Sequence, residues 1–212
     1  MKDFIRARTA EQIAERRNEI VNACEQIYME GGFDAVTFKA ISEKTSFTRP
    51  SIYNYYATKE EVMLDLFERY FVRWYGEIFA ATDSAPSLTA NALCKIITDV
   101  SDRYQNLFLM FSDLRNIEEG CRIERIAAFK KKYFEFNDRV ADLIARRFPN
   151  TSAEVACCFI EGLLILFHGT YPISYLSDKQ KEAIKAAGGT VPCRTFRQIF
   201  YGQMVRLTGM LE

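Results

Sequence analysis

Histidine is nearly absent from this chain of 212 residues, which holds one, His168. The six cysteines (Cys24, Cys94, Cys121, Cys157, Cys158 and Cys193) are scattered and form no CxxC pair. Zinc sites draw on such ligands at close spacing, so no metal is expected. Without a secretion signal, no disulfide framework is expected either. The G-x-S-x-G elbow, the P-loop and the dinucleotide fingerprint are all missing, and no convergent pair of carboxylates is visible. The expectation is a protein without catalysis or cofactor. Neither sign of charge is in excess: 28 Lys and Arg meet 28 Asp and Glu, which leaves no global field to attract nucleic acid. The most apolar run, Gly162 to Phe167, is too short to span a bilayer and follows Glu161. The first residues include Lys2, Asp3 and Arg6 where a signal peptide would be apolar. These absences lead to the expectation of a soluble, cytoplasmic protein with no membrane partner.

What is present is apolar and aromatic. Hydrophobic residues make up 49%, enough for a packed core, and 17 Phe and 11 Tyr either fill that core or line an apolar cavity. Periodicity predicts helices almost throughout. Thr9 with Gln12 is a capping box, followed by Ile13, Ile20, Cys24 and Ile27 at helical spacing. That helix is expected to stop at Gly31-Gly32. Thr37 caps a short helix to about Lys44, and Thr48 caps a second, with Pro50 in its first turn and an end near Tyr55 or Tyr56. Thr58 to Glu61 opens a longer helix striped by Met63, Leu66, Phe67, Tyr70, Trp74 and Ile78.

Asp83 to Ser87, with Pro86, is the clearest break. Beyond it, helices are expected at about 88–105, 107–115, 123–147 and 151–169, with a box at Thr151 and Glu154. An irregular stretch around Pro172 follows. Ser177 with Gln180 then caps a polar helix to Gly188-Gly189, and a final amphipathic helix runs from about Arg194 to Met210. No strand alternates convincingly. The fold class is all-α.

The stretch from Thr37 to Lys59, TFKAISEKTSFTRPSIYNYYATK, reads as two short helices and a tight turn, with Ile41 and Ile52 facing inward. Four cations, Lys39, Lys44, Arg49 and Lys59, stand against one carboxylate, Glu43. The positive charge missing from the whole chain is therefore gathered here. The second helix exposes Thr48, Arg49, Ser51, Tyr53, Asn54 and Tyr55. A helix of this size fits the major groove, where polar side chains on its first turns reach base edges. The Tyr53 and Tyr55 hydroxyls and the Lys59 ammonium suit phosphate oxygens.

At these residues the sequence resembles the TetR family of transcriptional regulators. The resemblance rests on Gly32-Phe33, then Thr37, then Ile52-Tyr53-Asn54-Tyr55-Tyr56, then Lys59-Glu60, and covers about residues 9–70. It implies a DNA-binding set of Thr37, Lys39, Thr48, Arg49, Ser51, Tyr53, Asn54, Tyr55 and Lys59, with Lys39, Thr48, Arg49 and Ser51 at the operator and Tyr53 and Lys59 on phosphates. Two departures stand out. Ser42 replaces a small alanine, and Ser46 replaces the turn glycine, where a positive φ costs serine about 1 kcal/mol.

The same resemblance implies an N-terminal three-helix DNA-binding domain with the helix-turn-helix (1–57), a linking helix (58–83) and an effector-binding and dimerisation domain (84–212). Phe108, Phe111, Phe129, Tyr133, Phe136, Phe159, Phe167, His168 and Tyr171 are the pocket candidates, suited to an apolar or flat aromatic effector. A homodimer interface is expected from Phe159, Gly162, Leu163, Leu166, Phe196, Phe200, Gln203, Met204 and Leu207. Cys157 and Cys158 read as buried small residues and His168 as a hydrogen-bonding partner at a helix end. The partners implied are a palindromic double-stranded DNA operator, a second copy of the chain and a small-molecule effector. The alternative is a helical protein-interaction module that never touches DNA. The exposed Tyr53 and Tyr55 together with Arg49 and Lys59 argue against it.

Overall fold

A computed structural model describes residues 9–211, so Lys2, Asp3 and Arg6 lie outside the described residues. Among the described residues there are ten α-helices, a closing 3-10 turn and no strand. The helices are α1 (Ala10–Ala35), α2 (Phe38–Glu43), α3 (Arg49–Ile52), α4 (Lys59–Ser84), α5 (Ala90–Arg103), α6 (Gln105–Glu119), α7 (Ile123–Arg147), α8 (Ala153–Ser174), α9 (Asp178–Ala186) and α10 (Phe196–Thr208).

The caps explain most of these bounds. Thr9 and Gln12 form the expected reciprocal box, and the Thr37 hydroxyl accepts from the Ala40 amide at 3.1 Å. Gly32 breaks α1 at φ 72°, a conformation that costs glycine little, and the chain turns there toward α2. Ser177 with Gln180 opens α9 as expected, and Thr195 with Gln198 opens α10 by a box of its own.

α8 and α6 depart from the expected bounds. The cap of α8 is Ser152, whose oxygen takes the Val155 amide, while the Thr151 hydroxyl donates to the Leu211 carbonyl at 3.0 Å. α8 also continues through Pro172 to Ser174, beyond the expected stop at Gly169, and the Tyr175 amide closes its last turn on the Tyr171 carbonyl at 2.9 Å. α6 runs on to Glu119 because Leu114 and Ile117 are buried on one face.

The chain divides into two compact units, and the divisions fall within α4, α6 and α7. The first unit runs up to Arg69 and takes in Asp113–Phe129. Its core holds Ile20, Cys24 and Ile27 of α1, Phe38 and Ile41 of α2, Ile52 of α3 and Leu66 and Phe67 of α4. The second holds Tyr70–Ser112 and everything from Lys130 onward. In it α10 packs on α5 and α8. Its core is aromatic: Trp74 donates its indole N–H to the Ser101 hydroxyl at 3.1 Å and meets Phe167 edge-on at 4.9 Å. Gly162 of α8 has no side chain because Leu207 of α10 occupies that space, where an added Cβ would come within 2.3 Å.

Candidate nucleic-acid interface

The helix-turn-helix is made by α2 and α3, held from inside by Phe38, Ile41, Phe47, Ile52 and Tyr56, all buried. α3 is shorter than expected, a four-residue helix that continues as a turn. The Asn54 and Tyr55 amides bond back to the Ser51 and Ile52 carbonyls (3.3 and 2.9 Å), the tighter i to i+3 pattern. Thr48 occupies the N-cap position but its side chain does not cap. Its hydroxyl donates to Ser51 Oγ at 3.2 Å, and Ser51 donates to the Thr48 carbonyl at 2.7 Å.

On the outside, Thr48, Arg49, Tyr53 and Asn54 are exposed, and Ser51 and Tyr55 are half-buried. The tyrosines are not loose. Tyr53 stands edge-on to Phe38 at 4.8 Å and Tyr55 edge-on to Phe47 at 5.5 Å, so each hydroxyl is carried on a braced ring. Thr37 and Lys39 are exposed on the same motif.

The cations are spoken for to different degrees. Lys44 bridges both oxygens of Glu30 at 3.1 Å, and Lys39 lies 3.9 Å from Glu43. The Lys59 ammonium donates to the Phe33 carbonyl at 3.3 Å and sits 4.4 Å from the centre of the Phe33 ring. Among the described residues, Arg49 has no carboxylate partner. It is the cation best presented to a ligand.

Sequence reasoning missed the ionic scaffold behind the motif. Glu61, buried at the start of α4, takes the Ala57 amide at 2.9 Å and a bidentate pair from Arg122 at 2.6 and 3.0 Å. Asp65 gathers the Tyr56 hydroxyl (2.6 Å), Arg17 (3.4 Å) and Arg125. Burial and the Asp65 carboxylate push the Tyr56 hydroxyl far above its ordinary value, so it remains a donor. The partners are far apart in sequence, and only the capping signature at Thr58 hinted at Glu61.

Burial alone would raise the Glu61 carboxyl, but the Arg122 guanidinium and the Ala57 amide outweigh it and hold the group below its ordinary 4.5. Such a group contributes stability above its unfolded pKa and loses it as pH falls through the folded one. The melting temperature of Arg122→Ala is therefore expected to lie below that of the parent at neutral pH. The gap should narrow as the medium is acidified below 4.5. Melts followed by circular dichroism across pH check this; a gap independent of pH contradicts it.

In the second unit the expected pocket residues are mostly core. Phe108, Phe111, Phe136, Phe159 and Phe167 are buried, and Tyr133 stacks on Phe71 at 5.8 Å. His168 is exposed, its Nδ1 at 3.1 Å from the Phe111 carbonyl, and Tyr171 lies against Tyr175 at 4.6 Å. Phe129 belongs to the first unit, where it meets Phe67 edge-on at 5.4 Å. An apolar cavity lies between Trp74, Leu93, Ile97, Phe136, Ile144 and Phe159, with a volume of about 20 Å³.

Of the expected interface residues, Phe159, Leu163, Phe196, Phe200 and Met204 are buried inside the chain itself. Gly162, Leu166, Gln203 and Leu207 are half-buried. The exposed apolar residues here are instead Ile165 (72% exposed) and Ile173 of α8, Tyr201 and Val205 of α10, and Met210 of the closing 3-10 turn. Cys157 and Cys158, expected to be buried, are exposed. α8 is long and apolar enough to cross a membrane by length and composition alone, and Phe159, Leu163, Phe167 and Thr170 are its buried residues.

Comparison with known proteins agrees with this architecture. Residues 20–66 match the family described as bacterial regulatory proteins, tetR family, and residues 68–208 match the tetracyclin repressor-like C-terminal domain. No curated protein sequence matches the chain. Among solved structures, a transcriptional regulator of the TetR/AcrR family from Thermobifida fusca YX-ER1 superposes with a TM-score of 0.56 at 17% identity, covering 88% of this chain and 97% of that one. With the helix-turn-helix in place and the two family descriptions matching residues 20–66 and 68–208, the chain belongs to the TetR family and is a DNA-binding transcriptional regulator.

Proposed function

We propose that the protein is a cytoplasmic homodimeric repressor that reads a palindromic operator through α3 and is released from it by an apolar or aromatic effector. The observation that carries the DNA half is the exposed row Thr48, Arg49, Tyr53 and Asn54 on a braced helix-turn-helix. Arg49, Thr48 and Ser51 lie at the start of α3, the end that comes nearest base edges in such motifs. Lys39 joins them at the operator, Thr37, Asn54 and Tyr55 lie on the same motif, and the Tyr53 hydroxyl suits a backbone phosphate. Lys59 reaches a phosphate by leaving the Phe33 carbonyl.

The effector half rests on the cavity. Its lining is apolar, and about 20 Å³ holds little more than one water molecule. A drug-sized ligand needs roughly 300 Å³ or more. Such a ligand therefore binds only a conformation in which Phe136, Phe159 or their neighbours have moved, and a ligand that selects one conformation shifts the population toward it. The operator-binding conformation is then the closed one. The link between the halves is covalent, since α4, α6 and α7 each contribute to both units.

The test is a screen of lipophilic and aromatic compounds read by two signals. A ligand at a hundred times its Kd is expected to add about 2.7 kcal/mol of stability, and to release labelled operator over the same concentration range. A compound that raises the melting temperature and leaves the operator bound contradicts release by an effector. If no duplex is enriched by the protein from a random pool, the interaction-module reading replaces this one.

A further inference from the structure

The turn between α2 and α3 has a feature that the DNA-reading surface does not use. No residue other than glycine has a positive φ among the described residues, so Ser46 sits in the turn without the left-handed backbone that a glycine there would allow. Its amide does not stay within the motif. It donates across to the Glu19 carboxylate of α1 at 2.6 Å. Arg16, one turn earlier on α1, donates to the Ser46 hydroxyl at 3.3 Å, lies 3.7 Å from Glu19 and covers the Phe47 ring at 5.4 Å. Phe47 in turn braces Tyr55.

We propose that Glu19 is a positioning residue for DNA reading: its carboxylate, clasping the Ser46 amide, fixes the turn and with it the direction in which α3 presents Arg49. This rests on the DNA-binding reading above. A charged acceptor on a backbone amide is among the stronger hydrogen bonds, and this one ties the turn to a 26-residue helix. α3 has only four helical residues and little stiffness of its own, so its aim depends on what holds its two ends. Tyr56, bonded to Asp65, holds the far end. Glu19 holds the near one. A carboxylate near a polyanion works against affinity, and Glu19 exerts that repulsion on every DNA sequence alike.

Two substitutions separate the acceptor from the charge. Glu19→Ala and Glu19→Gln remove the same negative charge, but only glutamine keeps an oxygen able to take the Ser46 amide. The probes are a duplex enriched by the parent protein and a random duplex of equal length. Glu19→Ala is expected to bind the enriched duplex about tenfold more weakly while binding random DNA as well as the parent or better. Glu19→Gln is expected to recover most of the lost affinity. In amide hydrogen exchange, Ser46 should be protected in the parent and in Glu19→Gln and exchange fast in Glu19→Ala. Equal operator affinity of the two variants overturns the proposal, and so does a Ser46 amide that exchanges alike in all three proteins. A parent that enriches no duplex overturns the DNA reading instead, and the exchange result still decides whether Glu19 holds the turn.

Discussion

An Ile165→Asp protein is expected to sediment as a monomer, to keep the parent's helical content, and to lose roughly 10²- to 10⁴-fold in operator affinity. Ile165 is 72% exposed on α8, and Val205 and Tyr201 are exposed on α10, which packs beside α8 in the same unit. Isolated apolar residues on a surface need no explanation, but a set of them on two adjoining helices is a candidate for the interface of the proposed homodimer. The proposed palindromic operator demands two reading heads related by two-fold symmetry, so a second copy is the occupant that proposal calls for. A carboxylate at Ile165 costs the single chain almost nothing and must be desolvated in the dimer. Phe200→Asp is the contrasting case, since Phe200 is fully buried and its loss should unfold the second unit. A dimer mass unchanged in both Ile165→Asp and Val205→Asp moves the interface elsewhere.

Arg49→Ala is expected to bind its operator about ten- to a hundredfold more weakly for each half-site whose base contact is lost, with relaxed preference at one position of that half-site. Among the described residues Arg49 has no carboxylate to leave, so its guanidinium is delivered to DNA without breaking an ion pair. Lys44→Ala is the comparison. Lys44 is committed to Glu30, and its removal also frees a carboxylate, so it should change affinity for all sequences alike and leave the preference intact. Equal loss on operator and random DNA for Arg49→Ala would assign Arg49 to phosphate.

The local signals of the sequence proved readable where the physics is local. Thr9, Thr37 and Ser177 cap by bonds three residues long, and Gly32 marks a break because only glycine takes that backbone easily. The helix-turn-helix was legible for the same reason, as its Thr37 cap, turn and inward isoleucines all lie within one short stretch, although the Thr48 side chain does not cap and α3 is only four residues long. The orientation of α8 was not. Its sequence is apolar nearly all round, so periodicity gave no reason to place Phe159 and Leu163 inside and Ile165 outside, and the exposed Cys157 and Cys158 were misread with them. The ionic clasps were hidden by distance: Arg122 meets Glu61 across 61 residues, and Glu19 meets Ser46 across 27. A charged residue on a helix looks solvated until the fold supplies its partner. The aromatic load could have lined a large cavity or filled a core; Trp74, Phe108, Phe136 and Phe167 fill one, and the space left between them is small.

The central claim is sequence-specific DNA binding, and one titration tests it most directly. The parent protein is mixed with a random duplex pool, the enriched duplex is sequenced, and its affinity is measured against a scrambled duplex of the same composition at several salt concentrations. The account predicts a two-fold symmetric sequence, an operator preference of roughly 10³-fold or more at physiological salt, and affinities for both duplexes that fall steeply as salt rises. Equal affinity for the enriched and scrambled duplexes at every salt concentration would contradict it.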